Sequence, residues 1–250
     1  MLFRFANAGI FAATALLLVL PALRTSEKRR WVLLLALVVA ADSVVTSFGG
    51  HWQVTYFASI AGKNWNWGGK GLSFCLSLAI AAMLIAARKF AAPDFGLALR
   101  QAPGTGRAFL FGVVPFLVLL AAATAKWFGH DALPDRETIW FQATMPGLAE
   151  ELSFRGVLLA LFDRLFAMRF NLGGAEIGYG VFATSVIFGI GHGIALDHAL
   201  ALHWDIVNGL SAAAIGLFLA WLRLRTKSLV LPIVAHNAIN LIFFCVPRLG

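Results

Sequence analysis

The stretch GLAEELSFRGVLLALFDRLFA, residues 147–167, decides the fold. It is long enough to cross a bilayer core, which takes about 20 mostly apolar residues. Yet it holds Glu150, Glu151, Arg155, Asp163 and Arg164, so hydropathy alone would place it outside the membrane. Its neighbours argue for a span. The chain of 250 residues is 60% hydrophobic and 13% charged, far from the soluble norm of about 25% charged. Seven clearer apolar segments surround this one, at about 6–23, 31–48, 72–90, 107–126, 178–196, 205–223 and 228–247. With 147–167 the expected fold is an all-α polytopic transmembrane bundle of about eight spans. Pro146 lacks a backbone donor and tends to start a helix, so Thr138–Met145 reads as a separate short helix or an interfacial segment.

Charge supports that count. Loops on the cytoplasmic side carry the excess of Lys and Arg. One set of alternate loops holds Arg24, Lys28, Arg29, Arg30, Arg88, Lys89, Arg100, Arg107, Arg164, Arg169, Arg223, Arg225 and Lys227. The other side, with both termini, holds Arg4, Lys63, Lys70, Lys126, Arg136 and Arg248. A missed or invented span would mix the two sets, so the asymmetry favours eight spans with both termini outside. The net charge of +8 is therefore topological. A nucleic-acid partner is excluded, because the basic residues form short clusters between apolar runs and no solvated basic face. Cys75 and Cys245 fall in apolar runs and read as packing residues. Arg4 followed by Ala8–Leu23 resembles a signal peptide, but with no small-residue cleavage site before the basic cluster it is read as the first span. The loop 49–71, with Trp52, Tyr56, Trp65 and Trp67, reads as an outer interfacial aromatic segment.

A charge at the bilayer centre costs at least about 2.5–3.5 kcal/mol, so such residues face a protein interior or a wet cavity. In this chain they are Asp42, Glu150, Glu151, Arg155, His192, Asn208, His236, Asn237 and Asn240. Adjacent helical residues point about 100° apart, whereas residues four apart share a face. Glu151 is thus expected to pair with Arg155, leaving Glu150 on the face of Phe154 and free to enter a cavity. Phe188 and His192 share a face, as do His236 and Asn240, and Gly189 with Gly193 offers a strip for close helix approach. Carboxylates, two histidines and an amide on three helices supply a general base, a proton shuttle and oxyanion donors, the inventory for hydrolysing an acyl bond with activated water. Asp42 and Asn208 read as interhelical hydrogen-bonding residues, His198 and His203 as loop residues, and His51 and His130 as span-end residues without a role. Asn237 points away from His236 and is left out of the set.

The three motifs Glu150-Glu151-x-x-x-Arg155, Phe188-x-x-x-His192 and His236-x-x-x-Asn240, in this order on successive apolar segments, resemble those of the CAAX protease and bacteriocin-processing family of intramembrane endopeptidases. The resemblance covers residues 138–247 and divides a single transmembrane domain, 1–250, into variable N-terminal spans, 1–137, and a catalytic core, 138–247. It implies that Glu150 is the general base with His192 as its partner. Glu151 and Arg155 would hold the site together, His236 and Asn240 would stabilise the oxyanion, and Phe154 and Phe188 would line the substrate cavity. The implied activity is cleavage of a membrane-anchored protein or peptide, removing a C-terminal segment or sorting tag. A bacterial inner membrane is the expected location, where prenylated substrates are not expected.

No cofactor is expected. Zinc is the alternative, with Glu150, His192 and His236 as the Glu-His-His set and water as fourth ligand, although the helix-borne His-Glu-x-x-His signature is absent. Two other functions compete. One is a proton-coupled transporter, since intramembrane Glu and His also build proton relays, and the other is a non-catalytic immunity or scaffold protein of the same fold. The absence of an internal repeat and the intact motif set argue against them.

Overall fold

A computed structural model describes residues 2–24, 26–49, 65–129 and 132–247. Its long helices coincide with the eight expected segments. They are α1 (Leu2–Val19), α2 (Ser26–Gly49), α3 (Trp67–Ala86), α4 (Thr105–Trp127), α5 (136–165), α6 (Tyr179–Gly193), α7 (Ile206–Thr226) and α8 (Val230–Cys245). The protein is an all-α polytopic bundle. By length and composition α1, α2, α3, α4 and α7 can each cross a membrane, and α8 is a shorter apolar helix. Two small antiparallel hairpins join the later helices, β1 (Arg169–Leu172) with β2 (Ala175–Gly178) and β3 (Ile194–Leu196) with β4 (Leu202–Trp204). His51 and His130, and Trp52 and Tyr56 of the aromatic loop, lie outside the described residues.

Helix α5 departs from the sequence reading. Asp135 caps its start, accepting from the Thr138 amide at 2.7 Å, and the helix runs on through Pro146 with no separate segment over Thr138–Met145. The physical reason lies on α8. Proline leaves the ladder one donor short, and the next amide, that of Gly147, turns to the Asn237 side-chain oxygen at 2.9 Å. Gly147 allows this approach, because a Cβ there would stand 2.5 Å from Asn237 Oδ1 and 2.8 Å from the Ile233 carbonyl. The helix then widens into a π-helical segment, Glu151–Leu158, a form that is rare and frequent at functional sites.

The main core gathers Val19 of α1, Leu35 and Val38 of α2, Ile80 and Ala81 of α3, Leu158, Leu161 and Phe162 of α5, and Ala183 and Ile187 of α6. A second cluster joins α4, α7 and α8 through Val113, Leu219, Leu222 and Ile239. The strip of Gly189 and Gly193 receives α7, since a Cβ on Gly193 would be 2.7 Å from the Gly209 Cα. Asn208 donates to the His192 carbonyl at 2.7 Å, joining α6 to α7 as an interhelical tie.

Candidate active site

At the centre of the site α5 presents both glutamates, and the structure separates them as the helical spacing predicts. Glu151 is fully buried. Its Oε1 accepts from Arg155 Nη1 at 3.0 Å and from His236 Nδ1 at 2.7 Å. Arg155, also fully buried, lies over the Phe188 ring at 4.4 Å. Carboxylate, guanidinium and imidazole thus form one buried network on α5 and α8. Removing Glu151 or Arg155 leaves the other's charge in a medium that cannot solvate it.

Glu150 has different partners. Its Oε1 accepts from Lys70 Nζ of α3 at 2.5 Å, and its Oε2, 3.7 Å from His236 Nε2, takes no hydrogen bond from the described residues. Two cavities meet at this carboxylate. A larger one of about 530 Å³ is lined by Phe141, Gln142, Ala212, Ile215, Asn240 and Phe244, with His236, His192, Phe188 and Glu150. A smaller one of about 200 Å³ is lined by Asp42, Ser43, Thr46 and Ser47 of α2 and by Ser73, Phe154 and His192. Glu150, Lys70, Phe188 and His192 line both.

His192 ends α6 beside this partition. A backbone carbonyl only accepts hydrogen bonds, so the contact of His192 Nδ1 with the Phe188 carbonyl at 2.8 Å puts the hydrogen on Nδ1. In the neutral ring Nε2 is then a proton acceptor. His236 has its Nδ1 on a carboxylate, which orders the ring and directs Nε2 toward Glu150. The Phe188 ring packs between them, 4.3 Å from the His192 ring and 6.0 Å from that of His236, and Phe154 crosses it edge-on at 5.1 Å.

The sequence reading named Glu150, Glu151, Arg155, Phe154, Phe188, His192, His236 and Asn240, and the structure brings them together around the two cavities and the Glu151–Arg155–His236 network. It missed three groups. Lys70 was read as an outer-loop residue because the third span was expected to start at residue 72; helix α3 starts at Trp67, so Lys70 lies one turn inside it. Gln142 accepts from the Asn240 amide at 3.0 Å, a contact without any spacing signal, since 98 residues separate the pair. Asn237, left out of the set because it points away from His236, anchors α5 at Gly147. Asp42 accepts from Ser73 at 2.5 Å, the interhelical bond expected of it, and also lines the smaller cavity. Trp65 closes the larger cavity beside Asn66, stacking on Phe141 at 5.0 Å and donating to Thr138 at 2.9 Å. His198 packs on Phe3 at 4.2 Å, and His203 bonds Asp197 at 2.8 Å. In that exposed hairpin the His203 hydrogen bond, with those from the Ala201 and Ala199 amides, holds the Asp197 carboxyl below the usual range.

Among the described residues no group of three His, Cys, Asp or Glu side chains stands close enough to hold an ion. The Lys70 ammonium already occupies one oxygen of the carboxylate that a Glu-His-His site would need.

Fold and site together define a class: a helical membrane protein enclosing a carboxylate–histidine centre beside a cavity of about 530 Å³. Within that class the chain carries, at residues 137–242, a domain that matches the family model described as "Type II CAAX prenyl endopeptidase Rce1-like". The match spans α5 to α8 and contains all three motifs, in agreement with the resemblance they carry. Over those residues the chain is similar to CAAX-type intramembrane proteases. No curated protein and no solved structure matches the chain.

Proposed function

We propose that the protein is a metal-free intramembrane endopeptidase of the glutamate type. It cleaves a peptide bond near the C-terminus of a membrane-anchored protein or peptide, in a bacterial inner membrane with both chain termini outside. One observation carries the reading: Glu150, His192, His236 and Asn240 line a single cavity of about 530 Å³.

The chemistry follows from the donors. Water entering between Glu150 and the free Nε2 of His192 gives up a proton to Glu150 as its oxygen attacks the scissile carbonyl carbon. The carbonyl oxygen becomes an oxyanion. In its imidazolium form His236 donates from Nδ1 to Glu151 and from Nε2 to that oxyanion. Asn240 has one amide hydrogen on Gln142 and a second to offer. Collapse of the tetrahedral intermediate breaks the C–N bond, and the proton held by Glu150 passes to the leaving amine. Glu151 and Arg155 touch no reacting atom and fix the orientation of His236.

The test uses the whole protein in lipid vesicles with a farnesylated peptide ending in a CAAX sequence, alongside unprenylated membrane-anchored peptides with basic C-terminal tails. A new C-terminus is detected by mass spectrometry. Cleavage is expected to fall by about 10²–10⁴ in Glu150→Gln, the range a positioned general base supplies, and to persist in the wild type under a strong chelator. Retained cleavage in Glu150→Gln overturns the base assignment. Loss under chelator that zinc restores overturns the metal-free mechanism.

A further inference from the structure

Lys70 is contributed by α3, from the part of the chain that precedes the matched residues, and three observations give it a task. First, its ammonium touches only one of the two carboxylate oxygens of Glu150, Oε1 at 2.5 Å, and leaves Oε2 without a hydrogen bond from the described residues. A carboxylate held at one oxygen is restrained there and keeps its other oxygen available to water. Second, Lys70 and Glu150 both line the larger cavity and the smaller polar chamber, so the pair forms part of the wall between them. Third, the helical turn bearing Lys70 is rigidly based. Asn66 accepts from the Gly69 amide at 2.8 Å and donates to the Thr46 carbonyl of α2 at 2.8 Å. A Cβ on Gly69 would meet that carbonyl, so the two helices are in backbone contact there.

Charge balance is one part of what this cation supplies. Arg155 pairs with Glu151, and Lys70 pairs with Glu150. Asp42 of α2, the other acid on the smaller chamber, is engaged by Ser73. Lys70 adds direction, which an imidazole 3.7 Å away does not.

We propose that Lys70 is a positioning residue of the active site. It holds Glu150 Oε1 so that Oε2 faces the hydrolytic water at the junction of the substrate cavity and the α2–α3 polar chamber. The inference rests on the reading of Glu150 as base. A carboxylate misplaced by about 1 Å can lose on the order of 100-fold in rate. Lys70→Met is therefore expected to lower kcat about ten- to a hundred-fold with KM within about twofold, whereas Lys70→Arg, which keeps a cation on a long stem, stays within a few-fold of wild type.

The measurement is steady-state cleavage, by protein in vesicles, of whichever peptide the wild type cleaves in the assay above. A Lys70→Met enzyme as active as Lys70→Arg, or a change confined to KM, overturns the proposal. If Lys70→Met is not recovered folded, Lys70→Gln gives the same comparison, because its amide reaches less far and carries no charge. No turnover by wild type on any peptide is a different failure, that of the peptidase reading. Turnover lost in Glu150→Gln but intact in Lys70→Met is the failure of this inference alone.

Discussion

Arg155 is the largest fully buried side chain among the described residues, and its reason for being there is Glu151. The pair sits at helical i,i+4 spacing and was legible in the sequence for that reason. That His236 would join it was not, because α8 is 85 residues away and no spacing rule reaches across helices. The same limit hid the ion pair of Lys70 with Glu150. A sequence shows which faces residues share, whereas the side chain that meets a buried acid depends on how helices are set against each other. Arg155→Met leaves Glu151 with only the imidazole of His236, and breaking a buried pair by removing one partner costs about 3–5 kcal/mol. We expect a thermal midpoint lowered by several degrees in detergent. Adding Glu151→Gln to Arg155→Met should return most of it, since a neutral amide needs no countercharge. A single variant as stable as wild type would mean that His236 alone balances the carboxylate.

At the scale of the element, α5 shows what the apolar pattern could and could not carry. The segment 147–167 was recognisable as a span despite its charges, because the rest of the chain left it no soluble domain to belong to. The break expected at Pro146 did not occur, because the compensating acceptor stands on another helix. Asn237 takes the Gly147 amide, and the π-helical turns that follow re-aim the side chains from Glu151 onward. Helix α8 therefore contributes to the site twice, through the cavity-facing His236 and Asn240 and through the backbone tie at Asn237. Asn237→Leu keeps the volume and removes the acceptor, leaving a buried N–H unpaired at about 1–3 kcal/mol. The expected outcome is a lower midpoint together with a fall in kcat, because the turn released is the one directly before Glu150. A variant that loses stability but keeps wild-type kcat would show that the tie holds the helices without placing the carboxylate.

At the scale of the molecule, the question is whether the motif-bearing helices are a unit. The motifs lie on α5, α6 and α8, the basis for reading residues 138–247 as a catalytic core after variable N-terminal spans. The core packs closely on those spans. Leu158, Leu161 and Phe162 of α5 are buried among α1, α2 and α3 side chains. Asn7 of α1 exchanges two hydrogen bonds of 2.9 Å with the backbone of Leu196 in β3. Tyr179 at the start of α6 donates to the Leu18 carbonyl at 2.8 Å. The polar chamber behind Glu150 takes Asp42, Ser43, Thr46 and Ser47 from α2. Without α1–α3 the inner faces of α5 and α6 would meet lipid, burying Glu150 without its ammonium and exposing a wet site to hydrocarbon. Residues 131–250 expressed alone are thus expected to reach the membrane and cleave nothing, whereas a chain divided between residues 130 and 131 and expressed as two pieces should recover activity. The check is cleavage in vesicles from cells making one piece or both. Activity from the C-terminal piece alone would show that the motifs suffice and that the first four helices only house them.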